Sequence, residues 1–151
     1  METALEVGFA DGKYRFWLPV TRAIELERKL APLTIAEMHS RLLESCGLQS
    51  DGSWVYVAGR AISLEAVREV IRIALIGGNC GHTDEGEIEV GPQLAKELVD
   101  SYVFPERPLD EAFALATGIL DAAVRGIQLK KKEQDEAAPK PESKRSTKAK
   151  S

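Results

Sequence analysis

The chain has 151 residues, 44% hydrophobic and 29% charged, which is enough for one domain with a real core and ordinary for a globular protein. Its net charge of -4 excludes a strongly basic nucleic-acid binder, and two cysteines are too few for a disulfide framework. No run nears the roughly 18 apolar residues that span a bilayer, and the N-terminus lacks the basic-then-apolar pattern of a signal peptide. The expected location is therefore the cytoplasm.

Residues 5–18 alternate on both sides of Asp11-Gly12: Leu5, Val7 and Phe9 lead in, and Tyr14, Phe16 and Leu18 lead out. Asp-Gly between alternating apolar runs predicts a β-hairpin whose type I′ turn has positive φ at both central positions. A hairpin alone is marginal, so its apolar face must lie on helices. Trp17 falls on the opposite face, either exposed or part of a contact surface.

Thr21 is placed to cap a helix over about 21–30, which Pro32 breaks. Thr34 and Glu37 have the spacing of a capping box, and Leu33 can staple onto Met38, predicting a second helix over 35–46. Gln49 to Gly52 reads as a loop. Trp54 to Val57 is either a short strand or an aromatic-rich connection.

Ser63 to Asn79 is the best-defined segment. Ser63 caps, Glu65 suits the first turn, and Leu64, Val67, Ile71, Ala74 and Leu75 recur at three and four, with Val70 and Ile73 widening the stripe. Arg68, Glu69 and Arg72 are placed away from it. Gly77-Gly78 is read as the helix stop, giving a central helix over 64–76. Cys80 to Val90 is polar and glycine-bearing and reads as an exposed loop. Pro92 opens a helix over 92–103, and Leu109, Phe113, Ala116, Leu120, Ala123 and Ile127 carry a last one over 109–129.

Residues 130–151 hold eight Lys/Arg against four Asp/Glu, a net +4, which leaves the body at -8. With no large apolar side chain, this basic tail is expected to be disordered. The predicted class is α+β, mainly α: one globular domain over 1–129, with an N-terminal hairpin on about five helices, then the tail.

Catalytic and cofactor residues are not apparent: neither histidine sits in a catalytic motif, and no Gly-x-Ser-x-Gly or phosphate loop occurs. Cys80, His82, Asp84 and Glu85, with His39 or Cys46 as further members, are the best metal candidates. One Cys-x-His without a second ligand pair reads more simply as a polar loop, so no metal is expected. The tail's lysines could track phosphates, but four acidic residues interrupt them and no aromatic is present for stacking, so nucleic-acid binding through the tail is the alternative reading only.

Three stretches together carry a family likeness: LEVGFADGKYRFWLPVTRAIELERKL, VREVIRIALIGGN and AKELVDSYVFPERPLDEAFALATGILDAAVRGI. In their order the chain resembles the tail assembly chaperones of long-tailed phages and gene transfer agents, specifically the gene-transfer-agent type, also labelled a tail-tube family. The likeness spans roughly residues 4 to 127 and includes no catalytic motif. It implies a non-enzymatic chaperone, encoded beside the tape-measure protein, that binds this partner, aids assembly of the tail-tube protein and is absent from the finished particle. A tail-tube structural component and a homo-oligomer are compatible with the same likeness. Val67, Ile71, Phe113 and Leu120 are expected to form or border a groove for the partner's amphipathic helix, though each reads more simply as an ordinary core position, and Trp17 and Tyr102 are the alternative surface anchors.

Overall fold

The computed structural model describes residues 2–103 and 107–127, so the tail and the last two residues of the predicted final helix lie outside the described residues. The chain is α+β and mainly helical. Among the described residues it forms five α-helices, a four-stranded antiparallel sheet and a two-stranded ribbon.

Strands β1 (Ala4–Phe9) and β2 (Gly12–Trp17) form the expected hairpin, in register from Ala4 opposite Trp17 to Phe9 opposite Gly12. The turn differs from the expected one. Its central pair is Ala10-Asp11, with positive φ at Ala10 (53°), and Gly12 is already strand. The reason is a third strand: a Cβ at Gly12 would overlap the carbonyl of His82, so Gly12 serves a close approach and not a turn. The Tyr14 hydroxyl donates to Asp11 Oδ1 at 2.6 Å and stitches the turn to β2.

Helix α1 (Val20–Lys29) starts one residue before the predicted cap. Pro19, extended at φ -65° and ψ 167°, holds the N-cap position, and its carbonyl accepts from Ala23 at 2.8 Å. Helix α2 (Ile35–Ser45) starts where predicted, but only half of the capping box forms: Thr34 Oγ1 accepts the Glu37 N–H at 3.1 Å, while the Glu37 carboxylate takes Arg41. Cys46 leaves the helix and begins β3 (Cys46–Leu48), which pairs with β4 (Trp54–Tyr56). The strand alternative for Trp54 to Val57 is therefore the one adopted, with a partner that the sequence had placed at a helix end.

Helix α3 (Leu64–Gly78) is the central element, with Val67, Val70, Ile71, Ile73, Ala74 and Leu75 all fully buried. Ser63 caps it through the Ala66 N–H at 3.1 Å. Gly77 and Gly78 do not stop it. They are its last helical turn, pressed so tightly on β2 that a Cβ at either would overlap the carbonyl oxygen of Trp17 or Arg15, respectively. The stop is Asn79, in the left-handed region at φ 50°.

Cys80 to Val90 is also not a loop. It is a second hairpin, β5 (Gly81–Thr83) and β6 (Gly86–Ile88), which completes the sheet in the order β1-β2-β5-β6. Polar composition hid it because one face is solvated and the other contributes only Gly81, over which the Tyr14 ring lies, and Ile88 opposite it, packed against the core. Asn79 Oδ1 accepts the Val90 N–H at 2.9 Å, closing the hairpin's base onto the end of α3.

Helix α4 (Pro92–Leu98) runs into a five-residue π-helical turn, Val99–Val103. Helix α5 (Leu109–Arg125) ends earlier than predicted because Gly126 adopts φ 80°; Ile127 then pairs with Glu2. No described helix is long and apolar enough to cross a membrane.

Candidate functional site

The six residues expected to meet a partner do not converge. Val67, Ile71 and Leu120 are fully buried in the core, which corrects the expectation that they line a groove: their apolar area is already satisfied by the sheet and by neighbouring helices. Phe113 is partly buried and stacks on Tyr56, with centroids 5.0 Å apart. Tyr102 packs edge-on against Phe9 at 4.9 Å and is covered by the Arg107 guanidinium at 4.6 Å. Trp17 alone of the six lies on the outer face of the sheet, where its indole N–H donates to Thr3 at 3.0 Å and Arg15 sits 5.1 Å above its ring.

That outer face gathers most of the remaining chemistry. Alternation along β2 turns Tyr14 and Phe16 inward and Lys13, Arg15 and Trp17 outward. On β5, His82 points outward opposite Lys13 and opposite Glu87 of β6, and Cys80 stands two residues before His82 on the same side. The Cys80 Sγ is 3.7 Å from His82 Nε2, and its thiol donates to Glu87 Oε2 at 3.5 Å. Cys80, His82 and Glu87 thus offer three potential ligand atoms, all within 4.8 Å of one another. Partial desolvation, then the hydrogen bond to Glu87 and the charges of Glu87 and Glu6, push the Cys80 thiol up against the opposing pull of Arg15. Sequence reasoning had grouped Cys80 and His82 with Asp84 and Glu85. The hairpin puts those two acids in its turn and brings in Glu87 instead, a pairing visible only once β5 and β6 are in register.

No family model, curated protein or solved structure matches this chain.

Two further surfaces complete the molecule's inventory. A cleft of about 370 Å³ between α1, α3 and the start of α4 is lined by Lys29, Arg68, Arg72 and Lys96 around Glu69. Glu69, placed on the outer side of α3 by periodicity, is in fact only 3% exposed. Arg72 at 2.6 Å, Arg68 at 3.3 Å and Lys29 at 3.5 Å draw it in. Arg68 and Lys96 also hold Asp100. The second surface is the free face of the β3–β4 ribbon. There Val55 is 37% exposed and Val57, two residues on, 69%. The ribbon's other face is covered, with Tyr56 on Phe113 and Trp54 near Gly118 of α5.

Proposed function

We propose that this chain is a tail assembly chaperone of a long-tailed phage, prophage or gene transfer agent that binds the helical tape-measure protein. The reading rests on the family likeness of residues 4–127 and, structurally, on one observation: the free face of the β3–β4 ribbon. Val55 and Val57 project from a backbone anchored on α5, and the Val57 N–H is tied back to the Ser45 carbonyl at 2.8 Å. Exposed β-branched side chains on a fixed ribbon offer an apolar strip at low entropic cost, suited to one stripe of an amphipathic helix. The groove first expected between the central and last helices is replaced by this strip. As a chaperone, the chain would cover the tape-measure protein during synthesis and release it as tail-tube subunits arrive, so it would act in the host cytoplasm and not in the particle.

The test is co-expression with the protein encoded beside it in the role of tape measure. Wild-type chain should keep that protein soluble and co-purify with it, whereas the double variant Val55→Glu and Val57→Glu should fold and fail to do so. A tape-measure protein equally soluble without this chain would sink the proposal.

A further inference from the structure

We infer that Cys80, His82 and Glu87 form a three-ligand site for a divalent cation of the zinc class, with its fourth position open on the outer face of the sheet. The site follows from strand geometry. Residues two apart on a strand share a face, which places Cys80 beside His82, and the β5–β6 register places Glu87 directly opposite His82. The backbone under all three is fixed. The Arg15 N–H donates to the Cys80 carbonyl at 3.0 Å, β5 pairs with β2, and Asn79 closes the hairpin's base.

The two separations from the sulfur match a coordination sphere. With bonds of about 2.3 Å to sulfur and about 2.0–2.2 Å to nitrogen and oxygen, tetrahedral angles put sulfur roughly 3.5–3.6 Å from each other donor. Here Sγ stands 3.7 Å from His82 Nε2 and 3.5 Å from Glu87 Oε2. A cation seated on Sγ would then draw the His82 and Glu87 donor atoms, which lie within 4.8 Å of each other, together by side-chain rotation.

The donor set selects the metal. Magnesium and calcium require oxygen ligands, whereas one thiolate, one imidazole and one carboxylate suit a borderline-soft ion such as Zn²⁺. Three protein ligands with an open fourth position leave room for water or for a donor from another molecule. The surrounding charge allows the ion. Glu6 adds a negative charge near Cys80, Arg15 is drawn over the Trp17 ring, and Lys13 stands opposite His82 in the strand register as the cation the bound ion would face.

The inference is independent of any tape-measure partner and is tested on the purified full chain, reduced and stripped by a chelator. Titration with Co²⁺ should give a saturable thiolate-to-cobalt absorption at one equivalent, with the intense visible bands of tetrahedral cobalt, and Zn²⁺ should displace it. Cys80→Ser should abolish the thiolate band. His82→Ala and Glu87→Gln should each weaken binding by at least about 10-fold, the scale on which even supporting groups of metal sites act. Asp84→Asn and Glu85→Gln, in the turn, should leave it unchanged. All five side chains are at or near the surface, and circular dichroism without metal checks that each variant folds. A chain that gives no saturable thiolate band, a band that persists in Cys80→Ser, or unchanged affinity in His82→Ala would overturn the inference.

Discussion

The Nε2 of His39 stands 2.8 Å from Oδ1 of Asp121, joining α2 to α5 across the core. The same oxygen accepts from Arg125 Nε at 2.7 Å, but Arg125 is exposed and His39 is buried. Removing an acceptor from a buried polar group costs about 1–3 kcal/mol, and an exposed ion pair contributes less than about 1 kcal/mol. Asp121→Ala should therefore lower the urea midpoint clearly more than Arg125→Ala. Equal effects would mean that the histidine contact contributes nothing.

Glu69 links stability to acid. Burial alone would raise its pKa, but the hydrogen bond and charge of Arg72, together with Lys29, outweigh burial and hold the carboxyl below its usual range. A lowered folded-state value stabilises above the unfolded value, near 4.3, and that contribution is lost as pH falls through the folded value. Glu69→Gln should thus be less stable than wild type at pH 7, and the difference should shrink at pH 3. Asp100, held down chiefly by its bonds to Lys96 and Arg68, has the same sign, but it is open to solvent and its share should fade with salt. A Glu69→Gln difference that is constant from pH 7 to pH 3 would contradict the assignment.

Two glycines in helices should respond oppositely to alanine. Alanine gains about 1 kcal/mol of helix propensity over glycine. At Gly78 the new methyl would meet the Arg15 backbone, which cannot move without breaking the sheet, and overpacking of this kind costs about 1–3 kcal/mol. At Gly118 the nearest atoms are side-chain carbons, of Leu5 at 3.1 Å and Trp54 at 3.4 Å, which can give way. Calorimetry should show a lowered Tm for Gly78→Ala and an unchanged or raised one for Gly118→Ala.

The two thiols should be told apart by alkylation. Cys46 is buried, its thiol pushed up by burial against the lowering effect of the Thr117 hydroxyl, which donates to it at 3.1 Å. Cys80 is half-exposed. In native protein a thiol reagent should modify Cys80 well before Cys46, and both should react together in urea. Equal native rates, read by mass spectrometry, would place Cys46 at the surface.

What was legible in the sequence follows the strength of each local signal. Thr34 and Ser63 were found because a cap is a contact three residues long, and α3 because its apolar stripe repeats over four turns. Gly77-Gly78 and Gly12 were misread for one shared reason. Their glycines answer to a backbone distant in sequence, and a rule about turns or helix ends cannot see that neighbour. The β5–β6 hairpin escaped because its outward residues are polar and its inward side offers only one large apolar residue, Ile88, beside Gly81. Glu69 escaped because periodicity places a side chain on a side of the helix but does not show that three cations wait there. Val67, Ile71 and Leu120 had the right chemistry for a groove, but the structure spends them inside.

The sheet order β1-β2-β5-β6 also sets a timetable. As the chain leaves the ribosome, β1 and β2 can pair at once, yet the free edge of β2 has no strand beside it until Gly81–Thr83 emerge, after α1, α2, β3, β4 and α3 have been made. Through that interval the nascent chain carries an open edge able to pair with another strand, and Lys13 and Arg15 along it supply the charge that discourages such pairing. Closure of that edge is thus a late step, and it coincides with the moment at which Cys80, His82 and Glu87 are first brought side by side.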